Sequence, residues 1–243
     1  MTDPLRELQE KIVLACRILA MEGLVKDILG HVSARIPDSN EMWIRCRSPE
    51  EEGLRYTNTD VIRRVDFDGK GPLLGENYQL PNEFAIHGEI YKSRLDVGCV
   101  IHAHPEAALI CGIADLEFQP IFGAFNIPAM RLALQGIPVF ARSFLMTRPE
   151  MVAPMIHIMG EKRVCLMRGH GITVIGETVE EATVRALNFD LLARMTLQVA
   201  QTGRKARAID QEDIQELPDL GSTFNDLWVW RYYVKKLQDE DCR

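Results

Sequence analysis

The stretch Val97-Gly-Cys-Val-Ile-His-Ala-His-Pro105 constrains the fold of this chain more than any other. Its apolar, β-branched run reads as a short buried strand that ends in two histidines separated by one residue. Side chains alternate between faces along a strand, so His102 and His104 share a face. Pro105 stops the strand and suits the first position of a following helix. Such a pair reads either as half of a metal site or as two ordinary polar residues at a strand end, since neutral imidazole is a common ligand for zinc and similar ions. A second stretch, Met167-Arg-Gly-His-Gly171, follows the apolar run Val164-Cys-Leu-Met167. Glycine on both sides of His170 allows a sharp turn and a close approach to another element. Three histidines then suffice for an open catalytic site.

Local signals place the rest. Asp3-Pro4 caps and starts a helix carrying Leu5, Leu8, Ile12, Ala15 and Leu19 at helical spacing, with Gly23 as its C-terminal cap. Gly30-His-Val-Ser-Ala-Arg35 and Met42-Trp-Ile-Arg-Cys-Arg47 read as strands, and Val65 to Gly69 as a strand entering a tight turn. Pro81-Asn82-Glu83 opens a helix on which Glu83 and His87, four apart, share a face. Helices are expected from Glu106 to Ala114, from Ile127, and from Pro149 to Met159, the last carrying His157 as a structural residue. Ile137 to Phe140, Arg163 to Met167 and Ile172 to Ile175 read as strands. Thr178 with Glu181 forms a capping box at the head of a long helix reaching about Gln201. Gly203 to Gly221 reads as a polar loop, and Ser222 as the start of a last helix with Trp228, Trp230, Tyr232 and Tyr233.

Length alone allows one large domain or two small ones. The chain has no internal repeat, no low-complexity tract and no break in composition, so one mixed α/β domain over residues 1–243 is expected. The net charge of −7 argues against a general nucleic-acid or anionic-membrane binder. The six cysteines are scattered without a Cys-x-x-Cys pair and read as reduced core residues. With no signal peptide and no apolar run long enough to span a bilayer, a cytoplasmic protein is expected.

Gly30-His-Val-Ser33, Asn82-Glu83, His102-Ala-His104-Pro105 and Arg168-Gly-His-Gly171, with Gly176 and Val179-Glu-Glu-Ala182 following, occur in an order and at separations that resemble the class II aldolase/adducin family. The resemblance covers most of the chain. It implies a three-layer α/β/α sandwich around a mainly antiparallel sheet, assembled as a homotetramer with sites near subunit boundaries. It also implies His102, His104 and His170 as divalent-metal ligands and Glu83 as the catalytic acid/base. Three imidazoles leave open positions for substrate oxygens and accept Zn, Mn, Fe or Co alike. Taken alone, Glu83 reads equally as a helix N-terminal residue favoured by the dipole.

Three departures separate this chain from the family's sugar-phosphate aldolases, which carry Gly-Asn in the first loop, serines before the catalytic Glu, and a Thr-Pro-Ser-Gly-like segment. Here those places hold Gly30-His31, Pro81-Asn82 and Arg47-Ser-Pro-Glu50. The set His31, Arg47, Ser48 and Asn82 is expected to bind substrate, with the planar guanidinium of Arg47 suited to a carboxylate. Arg47 by itself also reads as a solvated strand-end charge. The pattern is similar to the branch that decarboxylates hydroxylated aromatic or pyridine carboxylates, dihydroxyphthalates among them. A metal-dependent lyase removing a carboxylate ortho to a ring hydroxyl is therefore the leading expectation. A sugar-phosphate aldolase or epimerase and a non-catalytic adducin-like binding module are the alternatives. The last helix has two readings, packing wholly on its own subunit or completing a neighbour's site, because its aromatics span too wide an arc for one face.

Overall fold

Alternation along the histidine-bearing strands sets the layering of the molecule. In the computed structural model, which describes residues 3–242, Val32 and Ala34 face one side of the sheet and His31 and Ser33 the other. The strands are β1 (His31–Arg35), β2 (Glu41–Arg45), β3 (Ile62–Asp66), β4 (Cys99–Ala103), β5 (Val139–Phe140), β6 (Val164–Met167) and β7 (Gly171–Gly176). They form one seven-stranded sheet in the order β3-β2-β1-β4-β7-β6-β5. Every neighbouring pair is antiparallel except β5 with β6.

Helices cover both faces, giving the α/β/α sandwich with a mainly antiparallel sheet. On one face lie α1 (Pro4–Met21), α3 (Glu106–Ile113), α4 (Ile127–Gln135), α6 (Val179–Gln201) and α8 (Val229–Asp241), around a core that includes Ile12, Leu19, Ile101, Val174 and Phe189. On the other lie α2 (Phe84–Ser93) and α5 (Pro149–Met159), packed through Ile86, Tyr91, Val152 and Met155 on Val100, Cys165 and Ile175. Both ends of β4 are thus buried on both sides, which explains its unbroken apolar reading. Asp3 caps α1 through a bond accepted from the Leu5 N–H at 3.0 Å. Thr178 caps α6 by accepting from the Glu181 N–H at 3.1 Å, while the Glu181 carboxylate reaches the N–H of Glu177 rather than that of Thr178.

Other details also differ from the sequence reading, among them β3, which runs over Ile62–Asp66 and not from Val65 to Gly69. The polar stretch after α6 contains a further short helix, α7 (Gln211–Glu216), whose exposed charged residues carry no hydrophobic stripe to announce it. The last helix starts with a π-wound turn, Thr223–Trp228, before α8. His157 sits exposed on α5 rather than in the core. Among the aromatics of the last helix, Trp230 is buried, whereas Trp228 and Tyr232 are 54% and 61% exposed. No helix among the described residues is long and apolar enough to cross a membrane.

The Thr178 cap organises the longest helix in the molecule. Thr178→Ala should lower stability by about 1 kcal/mol in equilibrium denaturation, as loss of a helix N-cap typically does.

Candidate metal centre

Antiparallel pairing brings the chemistry together at one end of β4. His31 of β1 and Thr173 of β7 stand opposite His102 in register, so the three side chains line one face of neighbouring strands. Beyond the strand end the chain keeps His104 on the same side, and its Nε2 lies 2.8 Å from Nε2 of His102. The β6–β7 turn delivers His170 to the same place. That approach requires glycine: a Cβ on Gly171 would stand 2.4 Å from the Ala103 carbonyl oxygen and 2.5 Å from the His104 ring. Gly169, in the same turn, holds a φ of 67°, a left-handed conformation that glycine adopts without strain.

Glu83 enters from the α2 side. It occupies the N-cap position of α2, but its side chain bonds no backbone N–H of that helix. Its carboxylate turns instead to the histidines, with Oε2 3.2 Å from Nε2 of both His102 and His170. Oε1 accepts from the Met146 backbone N–H at 2.8 Å, which fixes the carboxylate plane. Ligand atoms of Glu83, His102, His104 and His170 all lie within 4.8 Å of one another. Glu83 and His102 are buried at the base, and His104 and His170 are partly exposed at the opening.

The donor set fits a divalent cation. Burial, followed by the charges of His102 and His170, lowers the His104 pKa to about 3, so its imidazole is neutral with a lone pair to offer. Nδ1 of His102 and of His170 are buried with no partner among the described residues. Neither ring is therefore drawn away by a second contact, and the three Nε2 atoms converge with Oε2 of Glu83 on one small space. Burial pushes the Glu83 carboxyl up, yet hydrogen bonds from His102 and His170 outweigh it and hold the group well below the usual carboxylate range. Such N/O sites with open positions suit hydrolytic or lyase metals.

The other residues singled out in the sequence take separate places. His31 stacks on His102 with ring centroids 5.0 Å apart, outside the four-residue set. Arg47 donates from Nη1 to Oδ1 of Asn82 at 3.3 Å, which brings its guanidinium against the residue preceding Glu83. Ser48 lines a separate cavity of about 320 Å³ with Arg45, Glu51 and Tyr56, which none of the four cluster residues lines. His87, which the sequence reading sets on one helix face with Glu83, makes no hydrogen bond to it. Helical geometry begins at Phe84, so Glu83 lies outside the repeat that would set the two side by side. His87 bonds His31 and Ser33 instead, at 2.6 Å each, and Ser33 bonds Tyr91 at 2.8 Å. Sequence reasoning misses Ser33 and Tyr91, although a period of two from His31 and of four from His87 was there to be read. Nothing in the sequence marks the Met146 N–H.

The family model described as Class II Aldolase and Adducin N-terminal domain matches residues 10–197. A 3,4-dihydroxyphthalate decarboxylase of Arthrobacter keyseri is 42% identical over 232 residues, covering 94% of this chain and 93% of the relative. Another, of Terrabacter sp. (strain DBF63), is 40% identical over 92% of this chain and 94% of the relative. Among solved structures, an aldolase II superfamily protein from Pseudomonas syringae superposes with a TM-score of 0.82 at 18% identity, covering 98% of this chain and 95% of that one.

The histidines behind the cluster make a pH prediction. Burial, then the charge of His102, lowers the His87 pKa to about 3 from an ordinary 6.5. The unfolded chain then binds a proton that the folded chain does not. The stability this group supports is complete above pH 6.5 and is lost as pH falls from there toward 3. His87→Gln should flatten the stability–pH profile by roughly 1 kcal/mol between pH 6.5 and 5.5, measured by urea denaturation.

Proposed function

The chain belongs to the class II aldolase and adducin family, and we propose that it is a metal-dependent carboxy-lyase acting on an ortho-hydroxylated aromatic dicarboxylate such as a dihydroxyphthalate. The observation that carries this reading is the convergence of Glu83, His102, His104 and His170 within 4.8 Å, with Arg47 held against Asn82 beside them. The names of relatives at 42% and 40% identity support the same substrate class. We read the whole chain as one such domain, since α8 packs back on α1 and α6.

In this reading His102, His104 and His170 hold a divalent ion, with Glu83 beside it. When bound, the ion supplies Lewis-acid stabilisation to the negative charge that the substrate oxygens gather. Arg47 anchors the carboxylate that stays on the ring, through a fork geometry matched to a planar anion. His31 and Asn82 supply further polar contacts, and we place Ser48, which follows Arg47 in sequence, at the outer edge. The bond to the departing carboxylate breaks, CO2 leaves, and the ring carbon takes a proton in its place. Glu83 is positioned to deliver that proton from Oε2 and to recover one from solvent, so each turnover consumes one proton. The contacts that hold its pKa down need N–H donors at His102 and His170. With those nitrogens committed as lone-pair ligands the donors are lost, and the positive charge of the bound ion would take their place in favouring the ionised carboxylate.

We further propose a homotetramer in which the last helix meets a neighbour. Trp228 and Tyr232 stand exposed on the same helix that buries Trp230, so one protomer covers only part of its aromatic surface. Light scattering at micromolar concentration should give four chains per particle, and a monomer would rule this assembly out.

CO2 release on a panel of hydroxylated phthalates and pyridine dicarboxylates tests the activity, with sugar phosphates as the contrast. Elemental analysis should find one divalent ion per chain, lost in His104→Ala and His170→Ala. Full occupancy and activity in both variants would sink the assignment. Arg47→Met should keep the metal and lose roughly ten- to a hundred-fold in kcat/KM on a dicarboxylate, the cost of a charge-assisted contact of about 1.5–3 kcal/mol. It should lose far less on a substrate lacking the second carboxylate.

A further inference from the structure

Behind the His102 ligand, β1 and α2 each contribute two polar side chains to one buried chain of hydrogen bonds. His31 and Ser33 lie two apart on a strand and His87 and Tyr91 four apart on a helix, so each pair shares a face. The links run from the Tyr91 hydroxyl to Ser33 Oγ at 2.8 Å, from Ser33 Oγ to His87 Nδ1 at 2.6 Å, and from His87 Nε2 to His31 Nδ1 at 2.6 Å. Neutral His87 uses a donor on one side and an acceptor on the other, and Ser33, which is fully buried, does the same because accepting on both sides would leave its own O–H without a partner. The protons therefore all point toward Tyr91 or all point toward His31.

The two directions are not equivalent. Protons pointing toward Tyr91 would leave its own O–H at the end of the chain, with no acceptor among the described residues. Tyr91 is fully buried, and an orphaned buried hydroxyl is costly. In the opposite direction every proton finds an acceptor. Tyr91 donates to Ser33, Ser33 donates to Nδ1 of His87, and Nε2–H of His87 donates to Nδ1 of His31. The proton of neutral His31 then sits on Nε2, the one ring nitrogen left for a ligand.

We propose that Ser33 and His87 are positioning residues that lock His31 as an Nε2–H donor beside the His102 ligand, so that this wall of the site accepts an anionic substrate oxygen and rejects a donor group in the same place. The inference rests on the reading of His31 as a substrate-contacting residue. Its logic is that of a site built for one hydrogen-bonding polarity, which excludes the wrong group by leaving buried partners unpaired. The chain is not a proton wire. Its far end is a phenol whose pKa burial pushes well above the ordinary value, so a proton passed on by His31 has no source of replacement there.

NMR of ring-nitrogen-labelled histidines in the zinc-loaded protein tests this directly, because it reports which nitrogen of each ring carries the proton. His31 and His87 should both be Nε2–H forms in the wild type. Ser33→Ala removes the link that imposes direction and should give mixed tautomers at both rings. It should also raise KM for a dihydroxyphthalate about ten-fold, with kcat and metal content held. Tyr91→Phe leaves the Ser33 hydroxyl still donating to His87 and should keep both rings in the Nε2–H form. A wild-type His31 protonated on Nδ1 overturns the proposal, as does Ser33→Ala with mixed tautomers and an unchanged KM. If the wild type releases no CO2 from any dihydroxyphthalate, the functional reading fails, and the ring spectra still decide the polarity of the chain.

Discussion

The site depends on one close backbone approach. Gly171 lies so near β4 that a single added carbon would press on the Ala103 carbonyl and the His104 ring. Because β7 pairs with β4 in register at that point, the turn preceding it has one place to put His170. Gly30 does the same on the β1 side, where a Cβ would meet Val25 and stand 3.2 Å from the His102 carbonyl oxygen. Two glycines thus let three backbone segments crowd around the end of β4, and the imidazoles gather as a consequence. A metal site built this way is preorganised by the sheet, not by the side chains themselves.

Much of this was legible in the sequence because it followed short periods. His102 and His104 share a face through the period of two in a strand, and the glycines around His170 announced a tight turn. The capping signals at Asp3 and Thr178 and the apolar runs located most elements, and the resemblance arranged them into layers. What stayed hidden depended on long-range contact or on weak patterns. The Met146 N–H that fixes Glu83 has no side-chain signature, since any residue carries that donor. Helix α7 is short and wholly polar outside, and the π-wound turn before α8 differs from an α-helix only in its hydrogen bonds. The partnership of His87 with His31 required knowing that α2 crosses β1, which no local window contains.

In the proposed function, specificity follows from where charge and polarity sit around the cluster of Glu83, His102, His104 and His170. Where the resemblance leads one to expect the family's sugar-phosphate aldolases to cradle a tetrahedral phosphate with small donors, this chain holds an imidazole, a guanidinium and an amide. A flat dicarboxylate matches them better, because a guanidinium fork and a carboxylate share a plane. The buried links behind His31 extend the same logic inward, from the proposed substrate contact to the core of the sheet. Function in this fold therefore resides less in the ligand set than in the layer packed around it.

Chelator-stripped protein titrated with a divalent ion, with CO2 release from a dihydroxyphthalate as the readout, tests the central claim most directly. The account predicts no release from the stripped protein and a linear return of activity that breaks at one ion per chain. Release that survives stripping, or that never returns with added ion, would contradict it.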